Sequence, residues 1–152
     1  MSVSKAPDVS FLRADGSAVR LSELIGKKTL VLFFYPKDDT TGCTLEACAF
    51  RDAHQDFLDA GAEVIGVSAD DADSHEAFKS KHKLPYTLLT DPKGAAAKGF
   101  GVKKVLGFIA GRVTFIIDRN GNIVDQFDSM LKFDEHVAVA LKQVRQLEAA
   151  AA

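Results

Sequence analysis

The sequence predicts an α/β domain in which a mixed central sheet is flanked by helices. Segments typical of buried strands alternate with helical patterns through most of the chain, and a hairpin and a closing amphipathic helix follow. The length of 152 residues suits a single domain over residues 1–152, and the hydrophobic share of 47% is ordinary for a globular protein.

The chain begins with an extended segment and a small N-terminal hairpin. Residues 6–8 (Ala-Pro-Asp) are extended because proline disfavours helix in the residue before it. Residues 9–12 and 19–21 flank Asp15-Gly16, a tight-turn dipeptide that predicts a hairpin. Residues 22–25 predict one helical turn.

Two continuous apolar runs predict strands that are buried on both faces. Residues 29–35 are rich in branched and aromatic side chains and suit the central strand, and residues 63–68 suit a second one. Between them, helical spacing from Leu45 to a stop at Gly61 predicts one continuous helix.

The second half of the chain adds several short elements and a third strong strand. Residues 73–76 resemble a capping box that opens a short helix, which Pro85 must end. The next patterns predict a short strand at 86–89, a turn at 91–94 and a helical turn or loop at 95–100. They are followed by a strand at 113–118, a hairpin turn at 119–122, a strand at 123–127 and a last helix at 134–147. We expect residues 149–152 to form a disordered tail. A thioredoxin-like fold satisfies this order of elements.

Charge and hydropathy exclude several classes of function. The net charge is −2 with both signs interspersed, so no basic stripe indicates a nucleic-acid partner. The longest apolar run, residues 30–35, is too short to cross a bilayer, and residues 1–7 lack a leader pattern. We expect no membrane partner and a reducing, soluble compartment: the cytoplasm, or the plastid stroma if a transit peptide was removed.

The cysteines and histidines do not indicate a metal site. Cys43 and Cys48 lie five positions apart, which fits neither the disulfide framework of a secreted protein nor a Cys-x-x-Cys zinc motif. The four histidines lack ligand spacing, so we interpret each as a surface or capping residue without a role: His54, His75, His82 and His136. We expect no metal and no cofactor.

Both cysteines lie where an apolar strand passes through a turn into a helical pattern. Cys43 falls at the start of that pattern, where backbone N–H groups lack internal partners and the helix dipole is positive, so its thiolate form is favoured. On an intact helix the Cα atoms of Cys43 and Cys48 would lie roughly 8–9 Å apart, too far for a disulfide. The residues alone leave open a redox pair that bonds after local unwinding, or two unrelated thiols.

The segment around Cys43 resembles the peroxiredoxins, whose pattern Pro-x-x-x-Thr/Ser-x-x-Cys is present from Pro36 to Cys43. The wider string over residues 38–52 is similar to the subgroup called peroxiredoxin Q or bacterioferritin comigratory protein, and the resemblance extends from residue 6 to residue 118. One departure is Thr41, where the subgroup commonly has a proline that would pre-set the first helical turn.

The resemblance implies a peroxidase that acts on hydrogen peroxide and organic hydroperoxides. It implies that Cys43 is the nucleophile and becomes a sulfenic acid, and that Thr40 offers its hydroxyl to peroxide and thiolate. It further implies that Pro36 shields the pocket and that Arg112 favours the thiolate and stabilises the departing oxygen. Pro36, Thr40, Cys43 and Arg112 would together bind the peroxide.

The resemblance also implies how the cycle closes. Cys48 would attack the sulfenic acid, and the resulting Cys43–Cys48 disulfide would be reduced by thioredoxin or a similar dithiol. Because that disulfide lies within one chain, we expect a monomer. The alternative from another class is a non-catalytic peroxide sensor or redox chaperone that uses the same cysteine pair.

Other thiol enzymes fit less well. A cysteine phosphatase would need an arginine six residues after its nucleophile, where Ala49 stands, and glutathione peroxidases use a tryptophan that this chain lacks. We interpret Glu46 and Asp52 as charges placed favourably toward the helix dipole. Phe100 and Phe108 are interpreted as apolar core or pocket-rim residues.

Overall fold

In the computed structural model, which describes residues 4–104 and 111–151, eight strands form one mixed sheet. The strands are β1 Ser4–Lys5, β2 Ser10–Leu12, β3 Ala18–Arg20, β4 Thr29–Phe34, β5 Ala62–Ser68, β6 Thr87–Thr90, β7 Val113–Ile117 and β8 Asn122–Asp128. Their order across the sheet is β1-β8-β7-β4-β5-β6-β2-β3. The mixed sheet and the N-terminal hairpin of β2 and β3 confirm the prediction.

Six helices accompany the sheet in the described part of the chain. They are α1 Leu21–Leu24, α2 Thr41–Asp52, α3 His54–Asp59, α4 Ala72–His82, α5 Ala95–Gly99 and α6 Phe133–Ala151, with a short 3₁₀ turn at Pro92–Gly94. Within these residues no helix is both long enough and apolar enough to cross a membrane.

Strand β4 lies in the middle of the sheet and is buried along its whole length, as its apolar run predicts. It pairs in parallel with β5 and antiparallel with β7. Because successive side chains of a strand point to opposite faces, Val31 and Phe33 enter one core cluster while Leu30, Leu32 and Phe34 enter another. The sheet therefore separates two hydrophobic cores.

The helical region after β4 differs from the prediction of one continuous helix. It is divided at Ala53, whose dihedral angles of φ −95° and ψ 2° end α2, and α3 starts at His54. The change of direction keeps Phe50 and Phe57 in the same core, with ring centroids 5.8 Å apart. Packing of the second aromatic ring thus overrides the continuous helical pattern.

Helix α4 begins earlier than predicted, so the assignment of a capping box to residues 73–76 was wrong. Asp71 is the N-cap, and its carboxylate accepts a hydrogen bond of 2.9 Å from the backbone N–H of Ser74. The helix ends at His82, and its C-cap Lys83 adopts a left-handed conformation (φ 52°) two residues before Pro85. The predicted stop before this proline is confirmed.

Helix α6 is longer than the predicted 134–147 and continues through Ala151. The tail expected to be disordered over residues 149–152 is therefore helical up to Ala151. A run of alanines has the highest helix propensity, so it extends the helix instead of fraying from it.

Candidate active site

Cys43 lies in the first turn of α2, directly after the loop that leaves β4. Thr40 is the N-cap, with φ −87° and ψ 155°, and its carbonyl accepts the first helical hydrogen bond, 2.8 Å from the N–H of Thr44. Cys43 is therefore among the residues whose N–H groups precede the helical hydrogen-bond ladder, at the positive end of the dipole. Its side chain is buried, with 1% exposure.

Arg112 reaches the same place from the other half of the chain. Val113, the first residue of β7, pairs with Phe34, the last residue of β4, in the antiparallel register. Arg112 directly precedes Val113, so it lies beside the point where the chain leaves β4 toward α2. Strand pairing therefore brings Arg112 to the start of the cysteine helix.

The guanidinium of Arg112 is buried and held on several sides. Its Nη2 lies 3.5 Å from Sγ of Cys43, and its Nη1 donates to Oε1 of Glu46 at 2.9 Å. Its Nε donates to the carbonyl of Met130 at 3.1 Å, and the ring of Phe133 lies 4.9 Å from its Cζ. With 3% exposure, the cation is shielded from solvent and acts on the sulfur at low dielectric.

Gly42 makes this close packing possible. A Cβ at this position would lie 3.0 Å from Nη2 of Arg112 and 3.2 Å from the ring of Phe133. A side chain at this position would therefore require the guanidinium or the ring to shift by a few tenths of an ångström.

Glu46 was interpreted from the sequence as a charge placed favourably toward the helix dipole, but it lies beyond the first turn of α2 and faces the core. Its side chain is fully buried, Oε1 pairs with Arg112, and Oε2 has no hydrogen-bond partner among the described residues. Burial raises the pKa of Glu46 to about 7, because lost hydration outweighs the lowering by the Arg112 cation. Glu46 follows Cys43 by three residues, a spacing that places both side chains on one helix face, and this spacing could have indicated that Glu46 lies at the buried site.

His136 was also assigned wrongly, since it is fully buried in α6. Its Nδ1 lies 3.5 Å from Oε2 of Glu46 and 2.8 Å from Oγ1 of Thr114, and its Nε2 donates to the carbonyl of Ser129 at 2.7 Å. Burial lowers the pKa of His136. Its spacing of four and eight residues from the buried Ala140 and Val144 could have indicated a core position.

His75 is the third correction, because it is buried beneath the loop that precedes Cys43. Its Nδ1 lies 2.7 Å from the carboxylate of Asp38, and its Nε2 donates to the carbonyl of Leu89 at 3.1 Å. Tyr35 also donates its hydroxyl to Asp38. Burial raises the pKa of Tyr35, so the phenol stays protonated as a donor. These bonds anchor the loop to the sheet and to α4.

Pro36 and Thr40 belong to that loop. Pro36 is half-buried, and the exposed Thr40 donates its hydroxyl to the carbonyl of Lys37 at 2.8 Å. Asp39, between them, adopts a left-handed conformation with φ 58°, which turns the chain into the helix. The roles of Pro36 and Thr40 toward peroxide stay predictions.

Cys48 lies further along the same unbroken helix and is partly buried. Both cysteines are free thiols, which agrees with the expectation that they cannot bond while the helix is intact.

Two further sequence assignments concern aromatic and metal-binding residues. Phe100 is partly buried against the rings of Phe34 and Phe115, at centroid distances of 5.3 and 4.8 Å, as a core residue should be. Phe108 lies outside the described residues.

In the part of the chain that the structure describes, no group of three or more side chains has a geometry that could hold a metal ion.

Sequence comparison places these features in a known context. Residues 3–126 match the AhpC/TSA family. The chloroplastic peroxiredoxin Q of Suaeda salsa is 45% identical over 145 residues, which cover 95% of this chain and 67% of that protein. The chloroplastic peroxiredoxin Q of Arabidopsis thaliana is 45% identical over 138 residues, covering 90% of this chain and 63% of that protein. The chain thus spans about two thirds of the length of these plant relatives.

Solved structures agree with this relationship. Peroxidoxin BcpB from Mycobacterium tuberculosis superposes with a TM-score of 0.85 at 35% identity and covers 94% of this chain and 95% of its own. Xanthomonas campestris peroxiredoxin Q superposes with a TM-score of 0.82 at 28% identity and covers 92% and 91%. The thioredoxin-like fold predicted from the sequence is confirmed, and the chain belongs to the AhpC/TSA family, among its peroxiredoxins of the Q type.

Proposed function

We propose that this protein is a thiol peroxidase that reduces hydrogen peroxide and organic hydroperoxides through Cys43. The observation that carries the proposal is the buried guanidinium of Arg112, 3.5 Å from Sγ of Cys43. A cation and a helix N-terminus that converge on one sulfur favour the thiolate, which is the nucleophilic form. Family membership and peroxiredoxin Q relatives support the same reaction.

The first step is the attack of the Cys43 thiolate on the terminal peroxide oxygen. A sulfur–oxygen bond forms and the oxygen–oxygen bond breaks, so the sulfur is oxidised by two electrons to a sulfenic acid. The electron pair leaves with the second oxygen as an alkoxide or hydroxide, which takes a proton from solvent and becomes an alcohol or water. The Arg112 cation stabilises the negative charge on the departing oxygen.

The second step is the attack of Cys48 on the sulfenic acid of Cys43. A disulfide forms within the chain and water leaves. Because both residues lie on α2, this step requires α2 to unwind between them. A dithiol reductant such as thioredoxin then restores both thiols and closes the cycle.

An apolar rim supports organic hydroperoxides as substrates. Leu45 and Leu131 are exposed at 54% and 80%, and together with Phe133 they border a surface depression of about 380 Å³. Phe133 also covers the guanidinium of Arg112, so this depression adjoins the reactive site. Lys132, Asp134 and Glu135 also line the depression, so the part that suits the organic group of an alkyl hydroperoxide is the apolar side formed by Leu45, Leu131 and Phe133.

Peroxide consumption by the wild type and by Cys43→Ser and Cys48→Ser tests the proposal, with thioredoxin, its reductase and NADPH supplied. We expect many turnovers for the wild type, none for Cys43→Ser, and one fast turnover followed by a stall for Cys48→Ser. A wild type that is oxidised once and never recycled would contradict the proposal and favour the peroxide sensor or redox chaperone.

Two further parts of the proposal concern assembly and location. An internal disulfide needs no partner subunit, so we propose that the protein is a monomer. Analytical ultracentrifugation of the reduced and oxidised protein tests this, and a dimer in both states would contradict it.

The compartment stays a prediction: the names of the plant relatives include "chloroplastic", and this sequence also fits a bacterial cytoplasm.

A further inference from the structure

We propose that His136 is a positioning residue of the peroxidase site, which fixes the Arg112 guanidinium by holding two of the groups that this guanidinium contacts. The inference rests on the proposed function. His136 acts through Glu46 on one side and through the backbone at Ser129 and Met130 on the other.

The first contact runs through the carboxylate of Glu46. Oε1 of Glu46 accepts a hydrogen bond from Nη1 of Arg112, and Nδ1 of His136 faces the other oxygen, Oε2, at 3.5 Å. That oxygen is buried and has no hydrogen-bond partner among the described residues. Without the imidazole, the carboxylate would be free to rotate toward the vacated space, which would misalign the hydrogen bond between Oε1 and Nη1 of Arg112.

The second contact runs through the chain segment before α6. Nε2 of His136 donates to the carbonyl of Ser129 at 2.7 Å, and the next carbonyl, that of Met130, accepts from Nε of Arg112 at 3.1 Å. The N–H of Ser129 also donates to the carbonyl of Arg112 at 3.2 Å. One imidazole therefore packs against the carboxylate and bonds to the backbone turn between which the guanidinium lies.

The hydrogen bonds also define the proton count of the ring. Nε2 must carry a proton, because its partner is a carbonyl oxygen. Nδ1 faces the hydroxyl of Thr114, which can donate or accept, and the unpaired oxygen of Glu46. A single proton can thus lie on Nδ1 or on Oε2, and its location decides whether Arg112 faces a carboxylate or a neutral acid.

The surroundings of this pair make the proton sensitive to pH. Burial lowers the pKa of His136 and raises that of Glu46 to about 7. The charged and titratable groups around the pair are Arg112, Asp128 and Tyr86 from other elements, Cys43 on the helix of Glu46, and Glu135 on the helix of His136. A substitution at position 136 should therefore change the pH profile of Cys43 reactivity, which a loss of packing alone would not do.

Two substitutions separate the two contacts. The amide of His136→Asn lies near the former Nδ1 and keeps the contacts to Glu46 and Thr114, whereas the amide of His136→Gln reaches the former Nε2 and keeps Ser129. Phe127→Leu is the matched control, since it removes the ring that packs edge-on against His136 at 4.8 Å and leaves every polar contact. All three variants are compared at equal folded fraction, determined by thermal melting.

The measurements are kcat/KM for hydrogen peroxide and the rate of Cys43 alkylation by iodoacetamide, each from pH 5.5 to 8.5. We expect both histidine variants to lose roughly tenfold or more in kcat/KM, because small misplacements at a reaction centre are costly. We expect the pH profile of alkylation to be displaced in both, and unchanged in Phe127→Leu. Histidine variants that match Phe127→Leu in rate and profile would overturn the inference.

A second measurement applies even if the histidine variants do not fold. The titration of the His136 imidazole nitrogens is followed by NMR between pH 5.5 and 8.5 in the wild type and in Arg112→Lys. The same titration in Arg119→Lys, a substitution at an exposed arginine, is the control. We expect the titration of His136 to change in Arg112→Lys only; no change would contradict the coupling. A wild type that is alkylated at Cys43 but does not reduce peroxide would refute the proposed function and leave the coupling testable.

Discussion

The guanidinium of Arg112 lies 3.5 Å from the sulfur of Cys43, although 69 positions separate the two residues in the chain. Both side chains are almost fully buried, with exposures of 3% and 1%. The same guanidinium forms a 2.9 Å ion pair with Glu46, one helical turn beyond Cys43. The reactivity of the thiol therefore depends on a cation that is itself fixed by a buried anion.

Replacing Arg112 by lysine should lower kcat/KM for peroxide by roughly 100- to 1,000-fold, in line with the loss of a preorganised donor at a site of developing charge. Lysine keeps a positive charge near Glu46 but cannot contact Cys43, Glu46 and Met130 together, because it lacks the planar fork. Steady-state kinetics measure the effect. The control is Arg119→Lys, which changes an arginine just beyond the other end of β7 that forms an exposed pair with Glu148. Its kcat/KM should stay within twofold of the wild-type value. Equal losses in both variants would contradict the role of Arg112.

Glu46→Gln should change how stability depends on pH. The pKa of folded Glu46 is about 7, above its ordinary value of 4.5, so the folded protein binds this proton more tightly than the unfolded chain does. The wild type should therefore lose stability as pH rises through this window, and by up to about 3 kcal/mol relative to Glu46→Gln. Urea unfolding at pH 4.5, 6 and 7.5 measures the difference. Parallel curves for the two proteins would show that Glu46 titrates normally.

Thr41→Pro should stabilise the reduced protein by roughly 0.4–1 kcal/mol and slow disulfide formation. Thr41 is the first residue of α2, a position that proline favours, and Thr40 before it already has the extended conformation that proline requires. Thr44→Pro is the matched control, because it removes the hydrogen bond from Thr44 to the carbonyl of Thr40 and should destabilise by about 3 kcal/mol. Thermal melting and the rate of Cys43–Cys48 disulfide formation after a peroxide pulse measure the two effects. Faster bond formation in Thr41→Pro would mean that unwinding of the first turn does not limit this step.

Oxidation should unwind the beginning of α2. A Cys43–Cys48 disulfide cannot form on an intact helix, so amide exchange in residues 41–52 should increase in the oxidised wild type. Peroxide-treated Cys48→Ser, which has the sulfenic acid but cannot form the bond, should keep the protection of the reduced protein. Mass spectrometry of exchanged peptides measures both. Equal protection in the reduced and disulfide states would rule out the unwinding step.

Sequence reasoning predicted those parts of the site whose structure depends on residues close by in the chain. The central strand is visible as a continuous apolar run, and the start of α2 follows from the turn before it, so Cys43 was placed correctly at a helix N-terminus. The choice of Arg112 came from a resemblance to a family. Nothing in the residues around Arg112 shows that it lies next to a cysteine.

The sequence by itself determined strands β2 to β8, the hairpin and the position of the thiol, because apolar periodicity and turn residues act over a few positions. The two-residue edge strand β1, which pairs with β8, was not predicted. Only the tertiary structure decided that Glu46, His75 and His136 are buried, although each is a polar residue that local pattern assigns to the surface. Burial depends on which elements pack against a side chain: here α6 packs against α2 at Glu46 and His136, and α4 packs against β6 at His75, although these elements are distant in the chain. A buried charge persists only where such distant partners neutralise it, and those partners become neighbours only when the sheet has formed.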